Sequence, residues 1–254
     1  MCTITKKLAL SALLSTSFAI PSASWATVYF GENLGLGEST PLSSFPIASA
    51  ARTSFLSSLT GVGTETFEAP DQTAGQAAPL TLTFPGAGTA TLTGGGNIAF
   101  VTPGTTNGVG RYATSGSQYW EGTSVFGITF SAPVAAFGFY GIDIGDFGGQ
   151  VTLTMTHASG PNSVYNVGNT INGLGGGVLF WGLIDAANPF TSISFGNTAS
   201  GTDYFGFDDM TIGSVEQVCG QPGAPACPTP EPASMALLGL GLIGLAAVRR
   251  RKFS

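Results

Sequence analysis

Val134-Ala135-Ala136-Phe137-Gly138-Phe139-Tyr140 and, a little further on, Gln150-Val151-Thr152-Leu153-Thr154-Met155-Thr156 are the two runs that decide the fold. The first places Ala135, Phe137 and Phe139 on one face of a strand. The second alternates through Val151, Leu153 and Met155, the period of a half-buried strand. Between them lies Gly141-Ile142-Asp143-Ile144-Gly145-Asp146-Phe147-Gly148-Gly149, a Gly- and Asp-containing loop. Two strands joined in this way predict an antiparallel pair.

The same pattern continues outward. Val125–Phe130 reads as a strand stopped by Pro133, and Pro79–Phe84 alternates through Leu80, Leu82 and Phe84. Thr89–Thr93 alternates until Gly94-Gly95-Gly96 interrupts it, and Ile98–Thr102 follows as a separate strand. Thr27–Phe30, Glu65–Glu68, Val164–Val167, Val178–Ile184, Phe190–Phe195 and Tyr204–Ile212 complete the series. One helix is predicted over Ile47–Leu59, where Ile47, Ala51, Phe55 and Leu59 recur at a spacing of four and Gly61 and Gly63 end the pattern. Short strands between turn signals, with no βαβ rhythm, predict a mostly β protein. Its expected form is an antiparallel two-sheet sandwich, jelly-roll-like, with an open barrel or an immunoglobulin-like sandwich as the alternative. Residues 27–213 form the expected β domain.

The chain has 254 residues and is charge-poor, with 9% Asp, Glu, Lys and Arg against about 25% in ordinary soluble domains. Gly is high, at 38, without the period of collagen. Lys6-Lys7, the apolar run Leu8–Ile20, Pro21 and the small residues of Ser24-Trp25-Ala26 make residues 1–26 a signal peptide. Residues 27–228 hold two basic side chains, Arg52 and Arg111, and 13 acidic ones, a formal charge of −11. Such a body repels phosphate backbones, which excludes nucleic acid as a partner.

Residues 214–229 read as a Pro- and Gly-rich linker holding Cys219 and Cys227. An exported compartment favours their pairing as a disulfide. Two thiolates without a nearby His supply too few ligands for zinc. Residues 230–254 have three parts: Pro230-Glu231-Pro232, the apolar run Ala233–Val248, and Arg249-Arg250-Arg251-Lys252. As a helix the apolar run is about 24 Å long, short against the ~20 residues of a free-standing span. The basic cluster predicts a cytoplasmic C-terminus, and the signal peptide an exported body. The run is expected to hold the inner membrane only transiently.

No Gly-x-Ser-x-Gly elbow and no Walker-type loop occur, and the single histidine, His157, has no marked nucleophile. No catalytic residue is assigned and the protein is not expected to be an enzyme. The carboxylates are the stronger candidates. Asp143, Asp146, Asp208 and Asp209 are candidate calcium ligands, because loop carboxylates and carbonyls supply the six to eight oxygens that calcium takes. Solvated Asx-turn residues are the plainer reading. Asp185, Asp203 and Glu121 lie near loops as well, and a facing glycosidase pair needs a cleft. Trp120, Tyr140 and Trp181 are candidate glycan-stacking rings, with core packing as the alternative.

The three-part tail resembles the PEP-CTERM sorting signal of Gram-negative bacteria. That resemblance implies an exosortase, a membrane-embedded cysteine protease, as processing partner, with Pro230, Glu231 and Pro232 as the recognised residues. It also implies delivery to the cell surface or exopolysaccharide matrix. Phe137-Gly138-Phe139-Tyr140-Gly141-Ile142-Asp143-Ile144-Gly145-Asp146 and Phe205-Gly206-Phe207-Asp208-Asp209-Met210 are similar to strings in PEP-CTERM cargo proteins, a likeness that implies no activity. The expected function is a surface or matrix structural protein. A glycan-binding module bound to exopolysaccharide is the alternative, and a glycan hydrolase comes third.

Overall fold

The computed structural model describes residues 26–69, 71–201 and 203–220. The signal segment, the Pro230-Glu231-Pro232 triplet, the C-terminal apolar helix expected over Ala233–Val248, and Cys227 with its expected bond to Cys219 lie outside the described residues.

The body is mostly β, with one short helix, and all its strand pairs are antiparallel. In chain order the elements are β1 (Thr27–Asn33), α1 (Pro46–Leu56), β2 (Thr64–Glu65), β3 (Leu80–Phe84), β4 (Gly88–Phe100) and β5 (Gln118–Val134). Then come β6 (Ala136–Ile142), β7 (Val151–His157), β8 (Ser163–Asn166), β9 (Val178–Ile184), β10 (Phe190–Asn197) and β11 (Tyr204–Gly213), with a 3-10 turn at Val215–Gln217.

Hydrogen bonding joins the strands into one 11-stranded sheet, not two separate ones. The cause is β5, whose 17 residues run the length of the fold. Along one edge β5 pairs with β4, from Phe100↔Gln118 to Ala90↔Phe130. Its other edge is shared. Trp120–Thr123 pairs with β11, and Gly127–Val134 pairs with β10. From β11 one arm continues through β6 and β9 to β1, and from β10 the other continues through β7 to β8.

The sheet curls so that these arms face each other. Phe139 of β6 and Phe207 of β11 meet Phe195 of β10 at centroid distances of 5.6 and 5.3 Å. Phe126 of β5 stacks on Phe195 at 4.1 Å. Apolar burial of such rings, about 1.5–3 kcal/mol each, drives the closure.

Two expectations fail on pairing. β6 and β7 are not partners: β6 lies between β9 and β11, and β7 between β10 and β8. Their connection therefore crosses from one arm to the other. The glycines at 94–96 do not end a strand either. They form a bulge inside β4, where the register shifts between Gly94 and Gly96. A Cβ at Gly96 would sit 2.6 Å from Cε2 of Trp120, so the bulge admits the indole only because glycine is there.

The helix is shorter than expected and turned about its axis. Pro46 occupies its first turn, where a missing N–H costs nothing. Phe45 supplies no side-chain cap. Instead Asn33 Oδ1, at the end of β1, accepts from the N–H groups of Ile47 and Ala48, each at 3.0 Å. Ala48 and Phe55 are buried, whereas Ile47, expected in the apolar stripe, is 58% exposed. Phe55 lies over Gly138 and Gly182, which are cross-strand partners in β6 and β9. A Cβ on either would sit 2.9 or 2.8 Å from the Phe55 ring. The two glycines make the hollow that receives the helix.

Candidate functional site

The crossing from β6 to β7 begins at Asp143, whose φ of 65° is in the left-handed region. Asp tolerates this conformation better than most residues. The Asp143 N–H donates to Gly177 O at 2.9 Å, and its Oδ1 accepts the Gly176 N–H at 2.7 Å. The carboxylate is thus held against the 175–177 turn and is buried. That turn holds a second segment, since Gly37 N–H donates to Gly175 O at 3.0 Å. A third loop joins through Gly110 N–H and Thr106 Oγ1, which donate to Glu38 O at 2.9 and 2.7 Å. A Cβ at Gly175 would sit 2.8 Å from Glu38 Cδ and 3.1 Å from Asp143 Oδ1.

These contacts gather Glu38, Asp143 and Asp146, whose carboxylate oxygens lie within 4.8 Å of one another. With Val109, Arg111, Asp203 and Tyr204 they line a surface depression of about 330 Å³. Arg111 is the cation of the group. Its Nε donates to Glu121 Oε1 at 2.6 Å, and its Nη1 donates to Tyr204 O at 3.1 Å and lies 3.5 Å from Asp143 Oδ2.

Glu38, Asp143 and Asp146 share one guanidinium that is already committed to Glu121. Burial, reinforced by Asp146 and Glu38, pushes the Asp143 carboxyl up from 3.8 to about 7, against the opposing pull of the Gly176 N–H and Arg111. Burial and then Asp146 raise Glu38, and burial and then Asp203 raise Asp146. Among the described residues Asp146 Oδ1 has no hydrogen-bond partner. A cluster of this kind holds protons or a cation near neutral pH. Its donors are hard oxygens, the set suited to calcium.

The aspartates of β11 do not join it. Asp208 is fully buried beside a slip of register between Asp208 and Thr211. Its Oδ2 accepts from Thr114 N–H at 2.8 Å, Thr114 Oγ1 at 2.9 Å and Ser115 N–H at 3.1 Å. Its Oδ1 accepts the Asp209 N–H at 2.7 Å. Burial, then Asp209, holds its carboxyl well above the ordinary range. Asp209 accepts Ser115 Oγ at 2.7 Å and lies 3.7 Å from Arg52. This pair pins the 101–117 loop to β11 through its own hydrogen bonds, so the four aspartates expected together are not brought together: Asp143 and Asp146 lie instead with Glu38.

Residues 228–252 match the PEP-CTERM protein-sorting motif. The chain carries that sorting motif. It marks an exported protein sorted through its C-terminus, with Pro230, Glu231 and Pro232 inside the matched segment, and it implies processing by an exosortase. No curated protein matches the chain. Among solved structures, the K2 cleaved adhesin domain of Lys-gingipain is similar at 14% identity and a TM-score of 0.38, covering 60% of this chain and 98% of that one. The xylan-binding domain from CBM 22 is similar at 15% identity and a TM-score of 0.36, covering 63% and 98%. The C-terminal family 22 carbohydrate binding module of Clostridium thermocellum Xyn10B gives 14% and 0.36, covering 64% and 98%.

The β-rich body does not place the three expected rings at a surface. Trp120 and Trp181 have no exposed area and Tyr140 has 4%. Trp120 lies under the β4 bulge, Trp181 packs on Phe139 and Tyr165, and Tyr140 packs on Phe45 and Phe180. They are core side chains, because each strand that carries them is covered on the face they occupy. The aromatic residue at the depression is Tyr204, 53% exposed, with Arg111 5.9 Å from its ring centroid.

His157 bridges Asn188 O and Ser163 Oγ at 2.8 and 2.9 Å, and Asp185 caps the turn at Asn188. Among the described residues no helix is long and apolar enough to cross a membrane. Sequence reasoning missed Glu38, Arg111 and Tyr204 as parts of the site. Only Arg111 carried a signal, as one of two basic residues in an acidic body.

Proposed function

We propose that this protein is a structural component of the cell surface or exopolysaccharide matrix of a Gram-negative bacterium, whose β-rich body is ordered by calcium. In this reading the chain crosses the inner membrane, is held there transiently by its C-terminal segment, and is released by an exosortase. The two arms of the curled sheet act as a jelly-roll-like sandwich. The body is a structural element and not an enzyme.

The observation that carries the calcium role is the convergence of Glu38, Asp143 and Asp146 within 4.8 Å from separate loops. Calcium there ties the 34–38 segment to the β6–β7 crossing. It also offsets the burial, and the repulsion added to it, that raise all three carboxyls. Extracellular modules bind calcium at about 10⁻⁴–10⁻³ M, in keeping with a half-open site. A structural role is preferred to a glycan cleft because the three rings expected to stack on sugar are core side chains.

Calorimetric titration of the exported protein with calcium tests the proposal. The expected result is one site that Asp146→Asn weakens at least tenfold. Absence of heat and of thermal stabilisation at millimolar calcium sinks it.

A further inference from the structure

The strands β3, β4, β7 and β10, and β5 from Gly122 onward, contain no Asp, Glu, Lys or Arg. Their inward positions hold the core residues Leu80, Leu82, Leu92, Ile128, Leu153 and Ile193. Most of their outward positions are hydroxyl-bearing, with Gly127 and the exposed Val125 among the exceptions. The register aligns these in a row across neighbouring strands: Thr81↔Thr91, Thr91↔Thr129, Thr129↔Ser192 and Ser192↔Thr156. One step along, Thr93 and Ser194 flank Gly127, and Ser194 pairs with Thr154. Thr81, Thr93, Thr129 and Ser194 are exposed and the others half-buried.

The result is a two-dimensional array of hydroxyl and methyl groups. Its spacing is roughly 4.8 Å across strands and roughly 6.7 Å between alternate residues along a strand. None of the acidic side chains that give the body its formal charge of −11 lies on these strand stretches.

We propose that this face binds neutral polysaccharide chains. Thr81 and Thr91 hydrogen-bond to each other at 3.1 Å and Thr93 donates to Gly127 O, which leaves lone pairs there to accept. The other hydroxyls of the row offer both a donor and an acceptor for sugar hydroxyls, and each threonine a methyl for the ring face. A neutral polymer meets no repulsion here, whereas an anionic one is held off by the charge of the body. Successive strands rotate by roughly 20–25°, so the row turns steadily across the sheet. That shape follows a flexible chain and not the plane of a crystal. Many weak contacts along one polymer give retention by multivalency and not by a deep pocket. The face is separate from the carboxylate cluster, so the inference goes beyond the calcium reading and does not depend on it.

Affinity electrophoresis of the full-length protein through gels containing dextran, hydroxyethyl cellulose or alginate tests it. The expected result is retardation by at least one of the two neutral polymers, none by alginate, and no change on removing calcium. Thr129→Glu, at the centre of the row, is expected to weaken retardation at least tenfold, and Thr81→Glu on the outer strand several-fold. Thr105→Glu, in a distant loop, leaves it unchanged. Circular dichroism melts establish that each variant is folded. Migration unaffected by both neutral polymers overturns the proposal, as does retardation that survives both face variants. A dimer seen by light scattering and broken by Thr129→Glu, without polymer binding, gives the face to a second copy and also overturns it.

Discussion

Asp143→Asn isolates the electrostatic cost of the carboxylate cluster. Asparagine keeps the size of the side chain, tolerates the φ of 65°, and retains an oxygen to accept the Gly176 N–H. What changes is the charge. The folded protein holds the Asp143 carboxyl at about 7 instead of 3.8. At about 1.4 kcal/mol per tenfold in proton affinity, ionised Asp143 destabilises the fold by roughly 4 kcal/mol. The sign follows from linkage. The folded state binds this proton more tightly than the unfolded chain, so the stability is present in full below pH 3.8 and is lost as pH rises through about 7. Glu38 and Asp146 are raised as well and act in the same direction. The calcium-free protein is therefore expected to be more stable at pH 5 than at pH 8. Asp143→Asn should be near neutral at pH 4 and stabilising by about 2–4 kcal/mol at pH 8. Urea unfolding followed by tryptophan fluorescence reads this, because Trp120 and Trp181 are fully buried in the native state. Calcium at about 100 times its dissociation constant should add about 2.7 kcal/mol to the wild type at pH 8 and much less to the variant. If the variant and wild type lose stability in parallel from pH 5 to pH 8, the Asp143 carboxyl is not the strained group and the reasoning fails.

Three further outcomes are expected. Phe55→Ala should cost about 3–5 kcal/mol in urea unfolding, since Phe55 is the fully buried contact of α1 with β6 and β9. Gly182→Ala should destabilise the wild type by about 1–3 kcal/mol through overpacking but be nearly silent in the Phe55→Ala background. A double-mutant cycle measures that coupling, and additive losses would contradict the fitted hollow. Asp208→Ala strands the Thr114 and Ser115 donors, at about 1–3 kcal/mol for each buried group left unpaired. It should speed tryptic cleavage after Arg111 in the freed loop, and an unchanged cleavage rate would separate the loop from β11.

The sequence was most legible where one sheet face is wet. Leu80, Leu82 and Phe84 alternate in burial with Thr81 and Thr83, and Val151, Leu153 and Met155 do so with their threonine neighbours. β6 and β9 are buried along their whole length, so only apolar runs marked them. The start of β5 was hidden because Gly122 and Gly127 thin its pattern. Partner choice was not legible at all: a Gly–Asp loop joins strands in sequence, but the cross-strand aromatic contacts decide which edges meet. Glu38 lay in a polar Gly-rich stretch without periodicity. It reaches Asp143 only through the backbone bonds of Gly37 and Gly110, and no local pattern encodes such a meeting.

The failed hairpin explains where the candidate site is. Had β6 and β7 paired, a tight turn would have sufficed and Asp143 and Asp146 would have been solvated turn residues. Because β6 belongs to one arm and β7 to the other, residues 143–150 must cross the end of the fold. A crossing segment has no ladder to satisfy its backbone, so it takes partners from other loops: Asp143 N–H from Gly177, and Gly145 O from the Gly173 N–H. Those loops bring Glu38 and Arg111 with them. The carboxylates thus meet as a consequence of topology. On the proposed calcium reading, an ion that offsets their burial and mutual repulsion fixes loops that the sheet leaves unanchored. A calcium-free protein should accordingly lose protection at the Gly37, Gly110 and Gly176 amides first, while β6 and β9 amides keep theirs. Hydrogen exchange with and without calcium tests this, and uniform protection in both conditions would show that the loops hold without an ion.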